Sequence, residues 1–287
     1  MQEYIQKANV LMEALPYIKE FNGITVVIKY GGSALIDEGV KCTIIQDIAL
    51  MKYVGFRPVV IHGGGPEINA MLARLNIESN FHHNGLRITD AATMEIVEMV
   101  LAGKVNKNIA AELCGHGVKA VGLSGKDANL IKVDKYTPNG DEIGYVGKVT
   151  KVDTSLLNTL LDGGFVPVIS SIGTDEKGDT YNINADYAAV HIAAALQAEK
   201  LVFLTDVEGV RLIASDSTTV ASRLSVEKAK EMINAGDISG GMIPKVKCCI
   251  EGVEAGVPNV HILDGRVEHS LILEIFTKKG IGTLIEM

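Results

Sequence analysis

Short apolar runs that end in glycine set the architecture of this 287-residue chain. Residues 24–29 lead into Gly31-Gly32, residues 58–62 into Gly63-Gly64-Gly65, and residues 166–170 into a turn at 171–173. Runs this short, rich in Val and Ile and bounded by turn residues, fit strands buried on both faces. Helical patterns follow at about 40–54 and 66–75, and Pro66 suits the first turn of a helix. Runs at 120–123, 201–204 and 260–263 continue the alternation. The expected fold is therefore α/β: three layers, α/β/α, around an open, mostly parallel central sheet. In such a sheet the C-terminal strand ends share one edge, and ligands bind there.

Two segments break the rhythm. Residues 4–21 read as an amphipathic helix ahead of the first strand, with Ile5, Ala8, Leu11, Met12, Leu15 and Ile18 at helical spacing. Between 129 and 152, apolar and polar residues alternate around an Asn139-Gly140 turn signal, which predicts an antiparallel ribbon. A long helical pattern at 89–114 is interrupted around Gly103. The expected division is a helix at 1–22, a lobe at 23–197 and a second lobe at 198–287.

Charge and composition exclude several classes. A net charge of −8 argues against broad nucleic-acid binding, so an anionic ligand must be met by local cations and backbone amides. No run of about 18 apolar residues is present and the N-terminus carries no signal-peptide pattern, so no membrane association is expected. Four cysteines without a CxxC pair read as free thiols of a reducing, cytoplasmic compartment. The histidines show no HExxH spacing, and His82-His83 reads as loop surface. No metal ligated by protein side chains is expected.

The chemistry-bearing residues cluster at glycines. Lys29 precedes Gly31-Gly32, and Lys245 follows Gly240-Gly241. Glycines let backbone N–H groups approach oxyanions, and lysine adds a compact positive charge. The combination suits phosphoryl transfer, although no GxxxxGK[ST] phosphate loop occurs. Asn182 and Asp186 flank a helix start, where Asn184 or Asp186 can equally serve as a cap. Arg87, ahead of a helix, offers a fork matched to a carboxylate. Asp206 follows a buried strand and suits contact with a nucleotide or Mg²⁺, or an ordinary turn.

These residues lie in motifs that run in a familiar order: IKYGGSA (28–34), VIHGGGPEIN (60–69), NGLRIT (84–89), LAGKVNK (101–107), VGLSGKDA (121–128), PVISSIG (167–173), NINADYAA (182–189), LTDVEGV (204–210) and SGGMIPKV (239–246). From about residue 24 onward the chain resembles the N-acetylglutamate kinases of the amino acid kinase superfamily. The resemblance implies that MgATP phosphorylates the side-chain carboxylate of N-acetyl-L-glutamate, the second step of arginine synthesis through acetylated intermediates. It implies Lys29 and Lys245 as transition-state stabilisers, with Asp186 organising both. It places Gly64, Gly65, Arg87 and Asn182 on the acetylated amino acid, in the 23–197 lobe. It places Gly31, Gly32, Asp206 and Lys245 on the nucleotide, with the 198–287 lobe as the ATP side.

Both ends of the chain resemble the arginine-inhibited branch of that family. The resemblance implies that the N-terminal helix interlaces between dimers to give a hexamer, a trimer of dimers. It also implies an L-arginine site near His269, Glu274, Gly280 and Gly282. Three other readings remain open on the residues alone. One is a related carboxylate or carbamate kinase, and another is an arginine-binding protein without turnover. The third, a dinucleotide oxidoreductase, lacks a GxGxxG helix start.

Overall fold

Side-chain parity along the first strand decides what meets at the functional edge. The computed structural model describes residues 1–31, 38–213, 216, 219–277 and 280–287. Its strands, numbered in chain order, build an eight-stranded sheet. From edge to edge it runs β10 (Arg223–Ser225), β12 (Thr283–Glu286), β11 (Asn259–Asp264), β9 (Lys200–Thr205), β1 (Thr25–Tyr30), β2 (Arg57–His62), β6 (Val166–Ser170) and β3 (Ala120–Ser124). Every pairing is parallel except that of β11 with β12. Strand β1 is central, with Lys29 opposite Ile61 of β2 and Phe203 of β9.

Successive side chains of a strand point to opposite faces. Val26 and Ile28 accordingly enter one core cluster and Val27 the other, all fully buried. Burying such an aliphatic side chain contributes about 1.5–3 kcal/mol, so register is strongly fixed. The Val27 face is covered by α6 (Ser155–Asp162), α7 (Ala185–Ala195), α8 (Val226–Ala235) and α9 (Met242–Glu254). The Val26 face is covered by α2 (Glu38–Tyr53), α3 (Gly65–Arg74), α4 (Ala91–Glu98), α5 (Asn106–Gly115) and α10 (Ser270–Ile275). Three layers result, as the alternation predicts.

The interruption read at Gly103 is a seven-residue π-helix, Met99–Val105, joining α4 to α5. The predicted ribbon is real but wider. Strands β4 (Ile131–Lys135) and β5 (Gly147–Val152) pair antiparallel, and β7 (Ile172–Thr174) and β8 (Thr180–Asn182) complete a second, four-stranded sheet. Asn139-Gly140 closes a short 3-10 turn inside an eleven-residue connection (136–146) rather than a two-residue hairpin.

Helix α1 (Gln2–Phe21) stands ahead of the sheet. Its C-terminal end is rooted in an aromatic cluster: the Phe21 ring lies 5.7 Å from Phe56, and Tyr17 lies 6.2 Å from Phe276. Toward its N-terminal end, Tyr4, Ile5, Val10, Leu11 and Met12 are exposed. The main sheet passes without a break through residues 197–198, because β9 pairs directly with β1.

Candidate active site

Lys29 shares its face of β1 with Val27, so it points toward α7. Helix α7 packs its alanines, Ala188, Ala189 and Ala193, into the core beneath it. Side chains this small let the helix lie close to the strand. Asn184 caps α7, accepting from the amides of Asp186 (2.8 Å) and Tyr187 (3.4 Å). With the cap supplied by Asn184, the Asp186 carboxylate is free to meet Lys29, Nζ to Oδ1 at 2.9 Å. Both side chains remain partly open, at 14% and 22% exposure.

Gly31 lies directly under this lysine. A Cβ there would sit 3.2 Å from Lys29 Nζ and 3.8 Å from the Gly63 amide nitrogen, so the two glycine turns converge on the ammonium group. Gly32 lies outside the described residues.

The triglycine turn is shaped from beneath by residues the sequence reading did not single out. Parity sends His62 to the opposite face from Ile61, where it is fully buried. Its Nδ1 lies 2.8 Å from the Gly63 carbonyl and its Nε2 3.0 Å from the Asn106 amide. A carbonyl accepts and an amide NH₂ donates, so the neutral Nδ1–H tautomer satisfies both. Burial pushes the His62 imidazole down to about 4. The same Asn106 Nδ2 also lies 3.0 Å from the Leu123 carbonyl and 2.8 Å from the Val168 carbonyl, so its two hydrogens are shared among three acceptors that tie β2, β3 and β6 together. The π-helix presents Leu101 and Val105 to Gly64, where a Cβ would approach them to 2.7 and 3.2 Å. Only the motif position of Asn106 and the break at Gly103 hinted at this support.

Gly64, Gly65, Arg87 and Asn182 line one pocket of about 160 Å³, together with Phe81 and Leu86. Arg87 is 7% exposed, donates to Ser79 Oγ and to the Gly65 carbonyl (3.4 Å), and lies 4.6 Å over the Phe81 ring. Burial lowers its affinity for its proton, yet guanidinium stays charged at any working pH. Among the described residues no carboxylate pairs with it. A buried, uncompensated cation is costly unless an anion arrives. Asn182 is placed by its amide bond to Tyr145 O (3.0 Å) and by Nδ2 to Thr89 Oγ1 (3.5 Å).

Lys245, in the second turn of α9, faces the end of β9. Its ammonium donates to Thr205 Oγ1 and lies 3.5 Å from Asp206 Oδ1. Of the two lysines, Lys29 pairs with Asp186 and Lys245 with Asp206 in this structure. Burial alone would raise the Asp206 carboxyl, but the Lys245 charge and the hydrogen bonds from Lys245, Thr205 and its own amide together hold the group below the usual range. Asp206 opens a neighbouring pocket of about 270 Å³, lined also by Glu208, Gly209, Ser239, Met242 and Arg266.

A third pocket, of about 620 Å³, lies between α1 and the C-terminal segment. Glu274 and Gly280 line it, with Lys200, Arg223 and His261. Glu274 accepts from the amides of Ile281 (2.7 Å) and Gly282 (3.1 Å) and lies 2.8 Å from His261 Nδ1. Burial would raise this carboxyl; the bonds from His261 and the two amides overcome that and lower it. Glycine is required at both predicted positions. Gly280 has φ +63° with a Cβ position 2.7 Å from Glu274 Oε2, and a Cβ at Gly282 would meet Ile262 O at 2.2 Å. His269, expected beside them, does not line this pocket. It caps α10 in a left-handed conformation and turns to Asp47 of α2, Nδ1 to Oδ1 at 2.7 Å. The histidine of this pocket is His261, on β11.

A parallel α/β sheet whose C-terminal edge gathers two lysines, each beside a carboxylate, and a triglycine turn defines an enzyme that handles phosphoryl groups. The chain belongs to the amino acid kinase family, whose sequence profile matches residues 25–264. It is 58% identical to the acetylglutamate kinase of Thermoanaerobacter sp. (strain X514) over 281 residues, covering 98% of this chain and 93% of that one. It is 54% identical to the acetylglutamate kinase of Symbiobacterium thermophilum over 99% of both chains. With relatives this similar over nearly its full length, the chain is a kinase that groups with the acetylglutamate kinases. Among solved structures it resembles an N-acetylglutamate synthase from Neisseria gonorrhoeae complexed with coenzyme A and N-acetyl-glutamate, at TM-score 0.85 and 31% identity, covering 98% of this chain. The chain spans 63% of that synthase's length. The carbamate kinase from Giardia lamblia bound to AMP-PNP, at TM-score 0.65 and 17% identity over 92% of this chain and 98% of that one, shares the fold.

Proposed function

We propose that the chain transfers the γ-phosphoryl group of ATP to the side-chain carboxylate of N-acetyl-L-glutamate. The products are N-acetyl-L-glutamyl 5-phosphate and ADP, and the step is the second of arginine biosynthesis through acetylated intermediates. The observation that carries this reading is Arg87, a buried guanidinium with no carboxylate partner among the described residues, in a pocket rimmed by the triglycine turn. Its fork takes the α-carboxylate of the substrate, and Asn182 hydrogen-bonds the substrate beside it. The acceptor carboxylate, of ordinary pKa about 4.3, is already ionised at neutral pH. No general base is needed, and the barrier is repulsion between two anions. Lys29 from one side, Lys245 from the other and the amides of the Gly31 and Gly63–Gly65 turns neutralise charge on the phosphoryl group in flight. Asp186 holds Lys29 in place.

Residues 23–197 act as the amino acid lobe, and residues 198–287 as the nucleotide lobe, with ATP in the pocket at Asp206. The residues there fit the Mg²⁺ that travels with ATP. Mg²⁺ takes one or two carboxylates beside phosphate oxygens and water, and the Asp206 side chain is 58% exposed at that pocket. When bound, the ion neutralises phosphate charge.

L-Arginine acts as a feedback inhibitor in the pocket of Glu274, with its guanidinium on Glu274 and its carboxylate toward Lys200 and Arg223. In support, the resembling Neisseria synthase has also been solved complexed with coenzyme A and L-arginine, at TM-score 0.81 and 28% identity, covering 97% of this chain and 65% of that one. The exposed apolar face of α1 and a cavity of about 1030 Å³ between α1, α2 and α10 favour a homo-oligomer joined through α1, a hexamer built as a trimer of dimers. No helix among the described residues is long and apolar enough to cross a membrane, which accords with a cytoplasmic enzyme. Turnover compared across N-acetyl-L-glutamate, L-glutamate, L-aspartate and carbamate tests the substrate. A kcat/KM highest for any of the last three would replace it.

A further inference from the structure

The hairpin that carries Arg87 brings together a cluster the linear sequence disguises. Phe81 bridges Arg87 across it, His82 N donates to Leu86 O (2.8 Å), and Gly85 N donates to His82 O (2.9 Å). Neighbouring side chains of an extended segment point to opposite faces. His82 and His83 instead stack on one side, ring centroids 3.9 Å apart and tilted by 43°. Asp141, from the connection between β4 and β5, closes the group, its Oδ2 lying 3.1 Å from His82 Nε2. Nitrogen, nitrogen and carboxylate oxygen all lie within 4.8 Å of one another. The two loops do not meet by chance. Thr89 N donates to Ile143 O (3.0 Å) and Tyr145 N to Thr89 O (2.6 Å), which fixes the frame behind them.

We propose that His82, His83 and Asp141 form a binding site for one divalent ion of zinc's chemistry, and that the bound ion clamps the 81–87 hairpin over the acetylated amino acid pocket. Two imidazoles and a carboxylate are a zinc-type donor set, and the exposed side leaves a fourth position to water. The histidines also set this site apart from Mg²⁺, which prefers oxygen. Tetrahedral bonds of about 2.0–2.2 Å put ligand atoms about 3.4 Å apart. Rotation of the exposed His83 and Asp141 side chains closes the wider separations. Metallation at Nε2 moves the His82 proton to Nδ1, whose present partner, the Asn84 amide, is 3.5 Å away and weakly held.

The consequence follows from what the hairpin presents on its other side. Phe81, Leu86 and Arg87 all line the substrate pocket. An ion joining the hairpin to Asp141 holds them in binding position before substrate arrives, and preorganisation raises affinity. This part rests on the N-acetylglutamate reading; the metal site does not.

The test is a Zn²⁺ titration against a chromogenic chelator. It uses the full-length chain without nucleotide, in a Cys42→Ser, Cys114→Ser background that removes the exposed thiols. One Zn²⁺ per chain should bind, and His83→Ala or Asp141→Asn should weaken binding about tenfold or more. Absence of binding by about 100 µM, or equal binding by both variants, overturns the site. Calorimetry with N-acetyl-L-glutamate then reads the clamp. Zinc loading should tighten substrate binding about fivefold in the parent and leave His83→Ala unchanged. Equal substrate affinity with and without zinc overturns the clamp. If N-acetyl-L-glutamate does not bind in either state, the substrate reading fails and the clamp with it, while the chelator titration still decides the site.

Discussion

Lys29 Nζ lies 2.9 Å from Asp186 Oδ1, and this contact joins the end of the central strand to the first turn of α7. It exists because strand parity points Lys29 at the helix, alanines let the helix lie close, and Asn184 takes over the capping duty. The pair aims an ammonium group over Gly31 and toward the Gly63 amide. On the proposed mechanism, replacing Lys29 with Ala removes a charge that acts when the phosphoryl group is in flight. Steady-state assays of Lys29→Ala should show kcat lower by a factor on the order of 100 or more. Near-normal kcat in a folded variant would remove this lysine from the mechanism.

Arg87 is read as the anchor of the substrate α-carboxylate. A charge-assisted hydrogen bond is worth about 1.5–3 kcal/mol. Arg87→Ala should therefore raise KM for N-acetyl-L-glutamate by about ten- to a hundredfold while KM for ATP stays within about twofold. Equal losses on both substrates would point to a disturbed fold rather than a lost anchor.

His62 gives the protein a stability term that depends on pH. Its imidazole sits at about 4 in the fold, against an ordinary 6.5, with burial as the chief cause. Below pH 6.5 the unfolded chain takes up this proton and the folded chain does not, so stability falls as pH drops from about 6.5 toward 4. The loss between pH 7 and pH 5 is about 2 kcal/mol for this group. His261, also lowered by burial, adds in the same direction. Urea unfolding at the two pH values should show a smaller drop for His62→Gln than for the parent. Identical drops would mean that His62 titrates normally in the fold.

The amino acid pocket should also feel Asn106, although it touches no substrate. Asn106→Asp places a carboxylate against His62 Nε2 and favours a charged imidazole. KM for N-acetyl-L-glutamate should then become pH-dependent between about 5 and 8, a dependence absent from the parent. A pH-independent loss of activity would show a packing role alone.

In the C-terminal pocket, Glu274→Gln keeps the shape and removes the charge proposed to receive a guanidinium. Inhibition by L-arginine should weaken about tenfold or more, with uninhibited kcat retained. Gly280→Ala should do the same through strain at φ +63° and contact with Glu274. Unchanged inhibition in both variants would place the arginine site elsewhere.

Much of this was legible in the sequence because local signals carry it. The runs at 24–29, 58–62 and 166–170 are β-branched and lead into glycine turns, and each became an interior strand of the main sheet. Gly64, Gly65, Arg87 and Asn182, far apart in the chain, do line one pocket. What was not legible is non-local or a matter of small geometric choices. The break at Gly103 was readable, but not that it is a π-helix whose Leu101 and Val105 pack on Gly64. Strand β12 is four residues long at a glycine-rich end, and only its pairings with β10 and β11 define it. His269 and His261 are both near Glu274 in sequence, yet a left-handed turn at His269 directs it to Asp47. Lys245 pairs with Asp206 at the end of β9, a contact between residues about 40 apart in the chain. His82 and His83 read as loop surface because Asp141 is distant in the chain.

The most direct test of phosphoryl transfer to an acetylated amino acid is to trap the acyl phosphate. MgATP and N-acetyl-L-glutamate are incubated with the enzyme and hydroxylamine, and hydroxamate and ADP are counted together, with and without millimolar L-arginine. Hydroxamate and ADP in equal amounts, both requiring N-acetyl-L-glutamate and both suppressed by arginine, is the expected result. ADP without hydroxamate, or no ADP above the acceptor-free control, would contradict transfer to the side-chain carboxylate.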